Sequence, residues 1–201
     1  VENSLNTVSD VHIKDASEVH IPGEAGAWVF ILGDMLMFAL LFGVYGYYRQ
    51  EDIATFDSSQ ASLNKIYSVI NTVLLLSSSL LVVLALRHCR RAKVGSAPIL
   101  LLSASACGIA FLTLKIMEYR EKFASGISLN TNEFFMYYFV LTGLHSIHVV
   151  IGIVILFYMF MLCRRKNLSD KHISVMESGA SYWHMVDLLW IVIFPLLYLL
   201  N

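Results

Sequence analysis

The sequence predicts an all-α integral membrane bundle of five transmembrane helices, with its N-terminus in the cytoplasm. Three observations lead there. Charged residues make up 14% of the 201 and hydrophobic ones 57%, whereas a soluble domain carries roughly 25% charged residues. Mean hydropathy is +0.67. Five apolar segments each approach the roughly 20 residues that cross a bilayer. Lipid cannot satisfy backbone polar groups, so such segments must be helices or strands of a closed barrel. Their length and lack of strict alternation select helices.

Residues 1–24 read as a polar extramembrane tail, with Glu2, Asp10, Asp15 and Glu18 and no apolar signal-peptide core. His12 and His20 in this tail are given no chemical role. Residues 25–201 read as one domain, with helices at 28–48, 66–86, 97–117, 134–162 and 181–200. Pro22-Gly23 leads into the first helix, where Ala39, Gly43 and Gly46 have the small-residue spacing of close helix approach. The second carries Asn71, Thr72 and Ser77-Ser78-Ser79, hydroxyls and an amide suited to bonding the backbone or a neighbour. Pro98 stands in the first turn of the third, where its missing N–H is harmless. The fourth is longer than a bilayer requires and should tilt or protrude. Pro195 should kink the fifth.

Basic residues set the orientation. Lys14, Arg87, Arg90, Arg91, Lys93, Arg164, Arg165, Lys166 and Lys171 fall on the side of the tail. Arg49, Lys65, Lys115, Arg120 and Lys122 fall on the other. The richer side is predicted to be cytoplasmic. A net charge of −1 gives no reason to expect a nucleic-acid partner. Cys89, Cys107 and Cys163 form no C-x-x-C pair and read as free thiols.

The informative residues are the ionisable ones inside these segments, which are expensive in hydrocarbon and face other helices. Asp34 lies six residues into the first helix, about 9 Å from its cytoplasmic end. His145 and His148 are spaced i, i+3 near the middle of the fourth. His184 and Asp187, also i, i+3, lie at about 4 and 9 Å into the fifth. These five are expected to form one intramembrane polar network. It serves either to fix helix register or to relay protons. A three-histidine metal site or a bis-histidine haem is a weaker fit. Carboxylate candidates stand near each imidazole, no H-E-x-x-H is present, and His184 differs in depth from the other two. No residue is assigned a catalytic or metal-ligating role. At the opposite surface, Lys115, Glu118 and Lys122 have i, i+3 and i, i+4 spacing and read as an interfacial charge network.

These residues also carry a resemblance. The first helix reads FILGDMLMFALLFGVY from Phe30, and the third ends in Met117-Glu118-Tyr119. The fourth reads TGLHSIHVVIG from Thr142, and the fifth YWHMVDLLW from Tyr182, preceded by Glu177. In this order they resemble subunit III of the haem–copper oxidase superfamily, over nearly all of residues 24–200. The resemblance implies a non-catalytic subunit of a respiratory complex in the bacterial inner membrane. Such a subunit supports assembly and proton uptake by the catalytic subunit I during oxygen or nitric oxide reduction.

By that resemblance Asp34 matches an intramembrane carboxylate tied to proton uptake, a glutamate in mitochondrial-type members. Glu118, the pair His145 and His148, and the pair His184 and Asp187 match further family positions. The chain itself would bind no haem, copper or iron; these belong to the partner. Phospholipid is the one small ligand left open, and membrane lipids and other subunits are the remaining partners. Two N-terminal helices of the seven-helix type are missing, so its lipid-filled cleft cannot be assumed. Five-helix members occur in bacterial quinol oxidases and as the NorE-type protein associated with nitric oxide reductase, which NEFFMYYFVLTGLH and WHMVDLLWIVIFPLLYLL also resemble. An assembly or maturation factor, a stand-alone membrane cytochrome and a transporter are the competing classes. A cytochrome would show a haem band, and a transporter internal repeats or broken helices.

Overall fold

Long apolar runs fold here as helices whose ends are set by capping groups. The computed structural model describes residues 25–90, 94–164 and 169–200. The tail over 1–24 and the loop cations Arg91, Lys93, Arg165 and Lys166 lie outside the described residues. In chain order, α1 spans Ala25–Glu51, α2 Ile53–Ala61, α3 Lys65–Arg90, α4 Ala97–Ala124, α5 Glu133–Cys163 and α6 Asp170–Tyr198. All but α2 are long and apolar enough to cross a membrane. No strand occurs among the described residues.

Capping explains the boundaries. The Asp52 carboxylate accepts from the Thr55 amide at 3.1 Å and starts α2. Hydrogen bonds from Thr55 hold that carboxyl below the usual carboxylate range. Asn132 does the same for α5 through the Phe135 amide, at 2.9 Å. Pro98 sits in the first turn of α4. Ser169 and His172 form a reciprocal capping box that opens α6.

Three elements differ most from the expected spans. α2 falls in a stretch expected to be loop. α4 runs to Ala124, seven residues past the expected end. The last helix begins at Asp170 rather than Ser181. Its first turns are polar and escape a hydropathy reading, but Met176 and Ala180 bury an apolar stripe. Pro195 then lies near the end of α6, and the missing ladder bond falls in its last turn.

α3, α4, α5 and α6 form a ring in which each packs on the next and α6 closes on α3. α1 stands outside the ring against α5 and α6. It buries a narrow stripe of Ile31, Phe38 and Tyr45, one residue every two turns. The Tyr45 hydroxyl donates to the Leu196 carbonyl at 3.2 Å, and Arg49 to the Leu200 carbonyl at 2.8 Å. One end of the bundle therefore holds the starts of α1, α4 and α6 with the ends of α3 and α5. By the basic-residue bias this is the predicted cytoplasmic end.

Close helix approach occurs elsewhere than expected. Nothing lies within 4 Å of a Cβ built on Gly43 or Gly46, because the large residues of the α1 stripe hold that helix off. The tight contacts are in the ring. A Cβ on Gly152 of α5 would meet Trp183 Cε3 of α6 at 2.6 Å, and one on Gly108 of α4 would meet its Cη2 at 3.0 Å. Trp183, fully buried, is thus wedged between two glycines on neighbouring helices. At the predicted cytoplasmic end the free thiols of Cys89 on α3 and Cys163 on α5 are buried, with sulfurs 3.1 Å apart across the ring.

Candidate functional site

Helix α1 brings Asp34 against α5. Its Oδ2 lies 3.4 Å from His148 Nε2, and the side chains are 17% and 10% exposed. That is ion-pair range, though this oxygen has no hydrogen-bond partner among the described residues. On the other edge of the ring, His148 Nδ1 bonds the Leu144 carbonyl at 2.8 Å. A carbonyl can only accept, so Nδ1 carries a hydrogen. Nε2 is then the nitrogen turned toward the Asp34 carboxyl group. Phe38 closes one side, its ring 5.4 Å from that of His148. The Tyr182 hydroxyl donates to the His148 carbonyl at 3.4 Å.

His184 and Asp187 form a second, separate pair on α6, 3.7 Å apart. His184 Nδ1 bonds Ser79 Oγ of α3 at 2.7 Å, while Asp187 is buried with no hydrogen bond to either oxygen among the described residues. Because α6 starts at Asp170, they lie about 21 and 26 Å along the helix from its first residue, where the expected start at Ser181 gave about 4 and 9 Å.

His145 joins neither pair. Its two nitrogens have no hydrogen-bond partner among the described residues, and its ring packs 5.3 Å from Trp190 and 5.5 Å from Phe111. Three residues of helix rotate a side chain about 60° short of a full turn. His148 thereby faces α1 while His145 faces the ring interior. The single five-residue network expected from spacing is two clusters and an isolated buried imidazole.

The charge network placed at the surface is in fact split between core and rim. α4 continues to Ala124, so Lys115 lies about 13 Å inside its end. Lys115 and Glu118 are 2% and 1% exposed. Lys115 Nζ donates to Glu118 Oε2 at 2.8 Å and to the Tyr198 hydroxyl at 2.7 Å, and that hydroxyl donates to Glu118 Oε1 at 2.7 Å. The rings of Tyr138, Trp190, Tyr198 and Tyr119 surround the ammonium at 5.1 to 6.0 Å. Lys122 points elsewhere and donates to the Ser62 carbonyl at 2.6 Å.

Several polar contacts had no signal in local spacing. Arg90 of α3 holds Glu177 of α6 through two hydrogen bonds at 2.6 and 3.1 Å. Trp190 Nε1 donates to Thr72 Oγ1 at 3.0 Å. Tyr198 completes the Lys115 cluster from 80 residues beyond Glu118. Among the described residues no three His, Cys, Asp or Glu side chains converge as metal ligands do.

Comparison with known proteins places this arrangement. Residues 6–201 match the family described as cytochrome c oxidase subunit III. Cytochrome c oxidase subunit 3 of Thermostichus vulcanus is 31% identical over 182 residues, 88% of this chain and 86% of the relative. Cytochrome bo(3) ubiquinol oxidase subunit 3 of Buchnera aphidicola is 27% identical over 202 residues, 97% and 93% of the two. Heme-copper oxidase subunit I+III of Aeropyrum pernix is 28% identical over 178 residues, 86% of this chain but 22% of that longer relative. Five membrane-spanning helices and a match over nearly the whole length lead to one assignment: the chain belongs to the cytochrome c oxidase subunit III family.

Proposed function

We propose that this non-catalytic, multi-pass subunit of the bacterial cytoplasmic membrane supports proton uptake by the catalytic subunit of a haem–copper oxidase. In this reading haem and copper are held by the partner, which reduces oxygen, as the oxidase names of the relatives favour. The observation that carries the proton role is the 3.4 Å contact between two ionisable side chains, Asp34 and His148, on neighbouring membrane-length helices. Asp34 lies about 14 Å along α1, toward the predicted cytoplasmic end. A partly exposed pair at that depth can exchange a proton without breaking the bundle, because α1 stands outside the ring. Intramembrane acid–histidine pairs commonly serve such relays.

Asp34→Asn tests the reading in the purified complex. The variant keeps a hydrogen-bonding side chain of the same shape, so the subunit should remain in place. Turnover or proton coupling should then decline over repeated cycles. Loss of the subunit from the complex would assign Asp34 to assembly alone, and unchanged coupling with an intact complex would remove both roles.

A further inference from the structure

The shared outer face of α3 and α6 carries polar groups from the last turn of α3, with Arg87 and Arg90, down to His184 of α6. A groove of about 230 Å³ there is lined in part by Val83, Arg87, Ser181 and His184. His184 is 38% exposed in it, with only its Nδ1 engaged by Ser79. Arg87 has no ion-pair partner among the described residues, whereas Arg90 is held by Glu177. By contrast, the outward residues Ile147, Val154, Phe157 and Met161 of α5 are 56%, 64%, 47% and 53% exposed and wholly apolar. That face suits lipid.

Depth decides what covers the polar face. His184 is seven residues beyond Glu177, so it lies about 10 Å deeper than the Arg90–Glu177 level. An anionic lipid headgroup held by the arginines would leave His184 against acyl chains. Only a second helix running alongside offers a polar side chain at both levels. Intramembrane ionisable residues face protein for the same reason.

We infer that the α3/α6 face around Leu80, Val83, Arg87, Ser181, His184 and Leu188 seats a membrane-spanning helix of the catalytic subunit. That helix carries a carboxylate level with Arg87 and a hydrogen-bonding side chain level with His184. The inference rests on the reading of the chain as a subunit of a haem–copper complex. The joined subunit I+III name of the Aeropyrum pernix relative, a single chain, fits such adjacency.

Photo-crosslinking in the intact complex tests it. A benzoylphenylalanine is placed at Leu80 or Leu188, 60% and 47% exposed, and for comparison at Val154 or Leu36, 64% and 65% exposed. The first two positions should give a protein adduct with the catalytic subunit by mass spectrometry, and the last two should give none. Arg87→Glu should release the chain from the solubilised complex at least about tenfold faster, while Arg87→Lys retains it. Lipid-only adducts at Leu80 and Leu188, or catalytic-subunit adducts from Val154 or Leu36, overturn the inference and leave the subunit reading standing. A chain that co-purifies with no haem–copper partner overturns both.

Discussion

Glu118→Gln and Lys115→Met should be among the most damaging single changes in the ring. The Lys115 ammonium is 2% exposed and lies 2.8 Å from Glu118. At an effective dielectric of about 20 the attraction at that distance is about 6 kcal/mol. Removing one partner strands the other in a buried site, at about 3–5 kcal/mol.

The double variant Lys115→Met/Glu118→Leu removes both charges and should recover most of the loss. Equilibrium unfolding in detergent micelles reads both single variants and the double one. Single variants costing under about 1 kcal/mol, or a double variant worse than the two singles together, would refute the buried-pair account.

Two further outcomes follow from packing and capping. Gly152→Ala pushes a methyl to 2.6 Å from the Trp183 ring and should cost about 1–3 kcal/mol in thermal unfolding. Gly43→Ala meets nothing within 4 Å and should stay within about 0.5 kcal/mol of the parent. The Asp52 carboxyl, bonded by Thr55, should titrate below the usual carboxylate value. Its cap on α2 is then present above that value and lost as pH falls through the folded-state pKa. A carboxyl carbon shift with its midpoint at or above about 3.9 would contradict the capping contact.

The helices that sequence reading identified are those whose burden is hydrophobic length. Asp34 could be aimed at the His145 and His148 pair because depth on two spans can be compared by counting residues. What counting could not supply is rotation about each helix axis. It left His145 and His148 on one face when the ring separates them by about 60°. Nor could it find the start of α6. Asp170 to Ala180 is an amphipathic stretch whose signal lies in the spacing of Met176 and Ala180 and in the Ser169–His172 cap, not in hydropathy. Tyr198 pairing with Glu118 is a tertiary fact with no local trace. The same is true of Trp183 lying between Gly108 and Gly152.

The caged lysine has a consequence for biosynthesis. α4 leaves the ribosome before α6, so Lys115 and Glu118 enter the membrane while Tyr198 and Trp190 are still to be made. Until then the pair has Tyr119 beside it on its own helix, and Tyr138 only once α5 follows. The nascent four-helix intermediate therefore holds an ammonium and a carboxylate with an open flank. Arrival of the last turn of α6 closes that flank.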